Sequence, residues 1–247
     1  MDLVNQPVLI AGGAAGAGAE AARELARRGA SVAILDADGH HARALARELD
    51  GLAIECDLAD AAAVEQAVAA AREQQGPARV LVHCAAPITP RHLLGRDGRP
   101  APLAEFERAV RSGLVGAYDL MRLTAADMAG SRLLGGERGV IIVSTAAAAW
   151  DGQAGEQAHA ACAAGLAALA LPAARDLERC RVRVVAIAAG ASSAPLVAGL
   201  PSRVRDALAE SVLPPRRPGT AVDFARLVAR IVQDATINGV TLDLAHA

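Results

Sequence analysis

The sequence predicts an α/β fold: a single domain in which helices cover both faces of a doubly wound parallel sheet. Three observations carry this. Short apolar runs alternate with longer helical patterns from one end of the 247 residues to the other. The first run ends in a glycine-rich turn, Gly12 to Gly18, and the second ends in an acid, Asp36. Apolar residues make up 53% of the chain, with only one Trp, one Tyr and two Phe. Small side chains on that scale suit helices packed closely on a sheet.

Taken in order, Pro7 to Ala11 is a buried strand that feeds the glycine turn. A helical pattern from Ala19 to Arg28 follows and is closed by Gly29, and Ser31 to Leu35 is a second strand. A strand, glycine turn, helix, strand and acid in this sequence make a Rossmann-type unit. Helix 40–49, strand 52–55, helix 59–75 and strand 80–84 continue the alternation. Residues 87–102 are polar and marked by Pro and Gly, which predicts an inserted loop or short hairpin. A long helix over 103–129, a strand over 139–145, an Ala-rich helix over 156–179 and a strand over 182–188 come next. The Gly/Ser/Pro-rich stretch 190–219 has the composition of a lid, and helix 221–233 and strand 240–244 finish the chain. No repeat or linker interrupts 1–247, so one domain is expected.

Composition excludes several functions. The formal charge is −2, with 25 basic and 27 acidic residues spread along the chain, so no nucleic-acid footprint is present. Every basic residue is Arg. The four cysteines, Cys56, Cys84, Cys162 and Cys180, have no metal spacing and are expected to be reduced structural thiols in a cytoplasmic protein. The first residues lack the pattern of a cleaved leader. His159, Pro172 and charges interrupt the helix over 156–179, so no membrane span is expected there.

Gly12, Gly16 and Gly18 would let backbone approach a pyrophosphate, with helix N–H groups aimed at it. Asp36 is placed to accept from an adenosine ribose, and its charge favours NAD over NADP. The same glycines would also serve a tight turn with nothing bound.

With the glycine spacing at 12–18, Asp36 and Cys56-Asp57-Leu58, the chain resembles the short-chain dehydrogenase/reductase family over essentially its whole length. The insert at 87–102, Arg138 to Ile142, Gly152-Gln153, Leu171 to Leu177 and Asn238-Gly239 resemble its type-2 3-hydroxyacyl-CoA dehydrogenase branch. The resemblance gives Asp57 an adenine-contacting role. It also implies an Asn, a Ser, a Tyr general acid/base and a Lys that lowers the tyrosine's pKa and holds the nicotinamide ribose. Matched residue by residue, these positions are Gly113, Ala146, His159 and Ala163. No lysine exists to take over, and the only tyrosine, Tyr118, lies on the helix before strand 139–145.

The cofactor motifs are thinned as well. Ala11 and Ala15 stand at the family's polar positions around the glycine turn, and His83-Cys84-Ala85-Ala86 stands for an Asn-Asn-Ala-Gly-like motif. Ala189-Gly190 replaces Pro-Gly and Ala194 replaces a lid Thr. Each lost hydrogen bond is worth roughly 1 kcal/mol, so weak or absent NAD binding is expected, with Gly12, Gly16, Gly18, Asp36 and Asp57 as vestigial contacts. The expectation is a non-catalytic subunit paired through helices 103–129 and 156–179 with an active, NAD-binding homologue, in a hetero-oligomer of four chains. Two alternatives stay open. In the first, His159 carries altered acid/base chemistry in a pocket lined by the 87–102 insert and the 190–219 lid. A nucleotide or acyl-CoA sensor could use Arg91, Arg96, Arg99, Arg203, Arg205, Arg216 and Arg217.

Overall fold

A strand that is apolar on both sides must be covered on both sides, and the central strands here are of that kind. The computed structural model describes residues 1–84, 90–189 and 219–244. It contains β1 Pro7–Ala11, β2 Ser31–Asp36, β3 Leu52–Glu55, β4 Val80–His83, β5 Gly139–Ala146, β6 Val182–Ala189 and β7 Thr241–Asp243. They form one sheet in the order β3-β2-β1-β4-β5-β6-β7, with every pairing parallel. The expected doubly wound parallel sheet is therefore present. After β3 the chain returns to lay β4 beside β1, so the winding reverses between those two strands. Their last residues, Ala11 and His83, pair directly. In such sheets the crevice beyond the strands' carboxyl ends opens at this switch point.

Alternate strand residues serve different layers. Val8, Ile10, Ile34, Val82, Ile142 and Ile187 pack beneath α1 Gly16–Arg27, α2 Gly39–Glu48 and α7 Ala221–Gln233. Leu9, Leu35, Leu81, Ile141, Val143 and Ala186 pack beneath α3 Ala61–Gln75, α5 Gly116–Ala129 and α6 Gln157–Asp176. The remaining helix among the described residues, α4 Leu103–Val110, buries none of its residues, although Leu103 and Phe106 lie on it.

Element boundaries differ from expectation where backbone chemistry decides them. The helix over 103–129 is not continuous: α4 passes through a π turn, Arg111–Val115, into α5. Gly116 explains part of this, because a Cβ there would lie 2.2 Å from the Leu58 carbonyl oxygen. α3 starts at Ala61 because the Asp60 carboxylate accepts from the N–H groups of Ala62 and Ala63. The insert, described from residue 90, is a hairpin bridged at Leu94 and Pro100, with Gly98 at positive φ in its turn. Residues 87–89 and the lid, apart from Gly219, lie outside the described residues. The interruptions at 156–179 predict no membrane-length run, yet α6 meets that criterion by length and composition, with a mean hydropathy of 1.3. Its alanines outweigh His159 and Pro172. α6 packs on β5 and β6, and 28% of its apolar window is buried within the chain.

The amino ends of the strands are closed by arginines. Buried Arg183 holds Glu137 at 2.6 Å and donates to the carbonyls of Ile231 and Val232 at the end of α7. Arg79 donates to the carbonyls of Arg132 and Arg138, and Arg138 donates to Ser131 and Cys180. Removing one member of a buried pair strands the other's charge. Arg183→Ala is expected to lower the unfolding free energy by about 3–5 kcal/mol, measured by urea denaturation. The apolar double replacement Arg183→Met with Glu137→Leu should cost clearly less.

Candidate functional site

The glycine turn is built by its backbone. Gly12 and Gly16 adopt φ of +68° and +55°, which L side chains rarely take. Gly18 has no room for a side chain: a Cβ would lie 2.2 Å from the Gly12 carbonyl oxygen. α1 is capped by Ala15, which has no side-chain acceptor, so the first-turn amides face the crevice without a side-chain partner. Asp36 ties the turn to β2. One carboxylate oxygen accepts from Ala14 N–H at 3.0 Å and the other from Asp38 N–H at 2.9 Å. Asp57 accepts from Ala59 N–H at 2.9 Å. Both acids thus have work in the fold whether or not a nucleotide binds. The backbone cradle, the uncapped amides and the spare lone pairs of Asp36 still fit the adenosine and pyrophosphate half of NAD.

The other half of the site gathers where β5, α6 and the π turn meet. Gly113 is buried in the π turn. A Cβ on Gly165 would lie 2.9 Å from Leu114, so α6 runs close against that turn. Ala146 is the last residue of β5 and half-buried. His159 and buried Ala163 are four apart on α6 and share a face. The Thr145 hydroxyl, the nearest substitute for a serine at 146, donates to the Ala163 carbonyl at 2.6 Å. It therefore belongs to the strand–helix contact. Half-buried His159 has its pKa held below the ordinary histidine value by desolvation, with Glu156 opposing. Tyr118 lies on α5, 55% exposed. The structure brings Gly113, Ala146, His159 and Ala163 together, but among the described residues supplies no cation for a nicotinamide ribose. The described residues do not fit that half of the cofactor.

The fold and this placement have close counterparts. The family profile described as "Enoyl-(Acyl carrier protein) reductase" matches residues 12–244. The chain is 33% identical over 240 residues to 3-hydroxyacyl-CoA dehydrogenase type-2 of Bos taurus, covering 96% of this chain and 92% of the relative. It is 34% identical over 239 residues to the Drosophila melanogaster protein of that name, covering 95% and 94%. The crystal structure of 3-hydroxyacyl-CoA dehydrogenase type-2 from Mycobacterium avium superposes with a TM-score of 0.90 at 31% identity, over 98% of this chain and 95% of that one. This chain belongs to the short-chain dehydrogenase/reductase family. A further family structure, 7α-hydroxysteroid dehydrogenase with NADH and 7-oxo glycochenodeoxycholic acid, superposes at 0.87 with 25% identity, covering 99% and 94%.

The structure sharpens two residues whose setting the sequence did not show. His83, noted there only as part of a motif, closes β4 at the switch point between Ala11 and Val143. Its ring is fully buried, and among the described residues neither nitrogen has a hydrogen-bond partner. The signal was a histidine ending the buried run Val80-Leu81-Val82. Arg91 is the second. Its N–H donates to the Gly155 carbonyl at 2.7 Å and its guanidinium grips Glu105. Arg91 thus pins the insert over the start of α6 and is not a free phosphate ligand. Arg99 sits 3.6 Å from Asp97. Ala85, Ala86, Gly190, Ala194, Arg203, Arg205, Arg216 and Arg217 lie outside the described residues.

Burial pushes the His83 pKa down to about 4 from 6.5. The unfolded chain therefore binds more protons here between those values. The penalty is absent above about pH 6.5, grows as pH falls, and is complete below about pH 4. A shift of that size corresponds to about 3 kcal/mol. Unfolding free energies of the wild type and His83→Phe, compared from pH 7 to pH 4, should diverge by that order, with the wild type losing more.

Proposed function

We propose that this chain is a non-catalytic, dehydrogenase-like subunit that supports an active homologue in a hetero-oligomer of four chains. One observation carries the reading: the family's Asn, Ser, Tyr and Lys positions hold Gly113, Ala146, His159 and Ala163, in a chain without a lysine. Losing several cooperating groups leaves little of a catalytic unit's acceleration. The homologue binds NAD and oxidises a 3-hydroxyacyl-CoA or similar CoA thioester. The arrangement resembles the inactive subunit of the 2-[hydroxy(phenyl)methyl]succinyl-CoA dehydrogenase of anaerobic toluene degradation. Four free thiols support a reducing, cytoplasmic setting.

Uncovered apolar surface supports the pairing. Leu103 and Phe106 on α4, Val115 in the π turn and Tyr118 on α5 are exposed. On α6, Ala161, Ala164, Ala168 and Leu171 form an exposed stripe at helical spacing. Contiguous apolar surface of this kind marks interfaces, and small residues let a partner helix approach closely.

The chain purified alone should show no saturable NAD heat by calorimetry and no oxidation of 3-hydroxyacyl-CoA. Mixed with the intact Ser/Tyr/Lys homologue from the same genome, it should enter a stable complex that turns over, with His159→Ala leaving the rate unchanged. Homo-oligomers alone in the presence of that homologue would sink the proposal. Ala168→Arg, at an exposed position, should abolish the complex while moving the chain's own stability by no more than about 0.5 kcal/mol.

A further inference from the structure

From Pro90 to Ser112 no residue is buried, the longest such run among the described residues. It takes in the hairpin and all of α4. The large apolar side chains there, Leu93, Leu94, Leu103 and Phe106, are exposed. Apolar burial therefore does little to hold α4 in place, and local stability is lowest where such contacts are few. At its carboxyl end α4 runs into the π turn Arg111–Val115, where the regular helical ladder changes. Beneath α4 lies Cys162. This thiol belongs to neither apolar layer of the sheet, yet it is only 6% exposed. Its Sγ sits 3.6 Å from the Ala109 carbonyl oxygen of α4. Burial raises its pKa above the ordinary thiol value.

We infer that α4 is a flap over Cys162, hinged at the π turn and latched at its other end through Arg91. The latch is two ties in series. The Arg91 guanidinium takes both carboxylate oxygens of Glu105, in the first turn of α4, at 2.5 Å each. The Arg91 N–H donates to the Gly155 carbonyl, just ahead of α6, at 2.7 Å. Beyond the π turn and the Cys162 contact, that is the one hydrogen bond joining residues 90–110 to the rest of the described residues. While the ion pair holds, α4 cannot lift from Cys162 without drawing the hairpin from Gly155. With the pair cut, α4 can lift alone. Arg91 and Glu105 are both partly exposed, so salt screens the latch. The flap does not depend on the pairing proposed above.

The test is alkylation of the purified chain by iodoacetamide, read peptide by peptide. Cys56, buried in the layer beneath α3 and α5, serves as the internal reference. In Glu105→Ala and in Arg91→Ala, Cys162 should label about two- to fivefold faster than in the wild type, the factor an exposed ion pair supports. Cys56 should label at its wild-type rate. The double variant should be no faster than either single one, because both remove the same tie. High salt should bring the wild type toward the rate of the variants. Amide exchange should quicken over Leu103–Val110 and stay unchanged over α5 and α6. Equal Cys162 rates in wild type and variants would overturn the latch. So would a parallel rise at Cys56, which reports loosening of the whole fold, or single-variant effects that simply add.

Discussion

The structure depends on a sheet that is buried on both faces. Its backbone groups are satisfied by the parallel ladders, and its side chains by two apolar layers. Only the two rims admit polar groups, and there each group must find a partner within the fold. At the amino rim that is done by arginine. Arg79, Arg138 and Arg183 donate to loop and helix-end carbonyls. A guanidinium suits this task because its several donors lie in one plane and stay charged. At the carboxyl rim the Asp36 carboxylate holds the glycine turn, and the Thr145 hydroxyl holds α6. Among the described residues, both ring nitrogens of His83 at the switch point lack a partner, as do Asp119 Oδ2 and Thr124 Oγ1 on α5. The pH-dependent part of the His83 cost appears only when the ring would otherwise be protonated.

Much of this was legible in the sequence because periodicity and turn chemistry are local. The strand runs, the glycine spacing and the acid at Asp36 predicted the parallel sheet with helices on both faces. The Pro and Gly content of 87–102 predicted an inserted loop or short hairpin, and the part from residue 90 is a hairpin. Less legible were features set by close approach between distant segments. The π turn at Arg111–Val115 depends on where Gly116 meets Leu58, which no periodicity in 103–129 reveals. The pairing of Arg91 with Glu105 made a surface arginine into a structural one. His83 looked like one letter of a motif until its burial and missing partners were visible. Composition also misled at α6, where alanine raises hydropathy without demanding burial.

The candidate site divides along the same line. Its adenosine half is backbone and carboxylate, and the fold needs those groups for itself: Gly18 for the approach of α1, Asp36 for the turn. Such residues persist under packing constraints alone, so their presence says little about nucleotide affinity. Its nicotinamide half depends on side-chain chemistry rather than on backbone. There Gly113, Ala146 and Ala163 retain no polar group that could serve a reaction.

That contrast also bears on what keeps the chain folded in this form. Ala163 is buried, its carbonyl is held by Thr145, and Gly165 two residues on lets α6 lie against Leu114. A long cation at 163 would have to leave that contact toward the crevice, whereas a methyl completes it. Small residues here therefore tighten the junction between β5, α6 and the π turn. The same junction orients the outer faces of α4, α5 and α6, where exposed Phe106, Tyr118 and Leu171 stand. A rigid inner contact fixes the outer surface, and a fixed outer surface loses less entropy when a second subunit covers it. In the proposed hetero-oligomer, small residues at the site and a fixed outer surface would then be one structural feature.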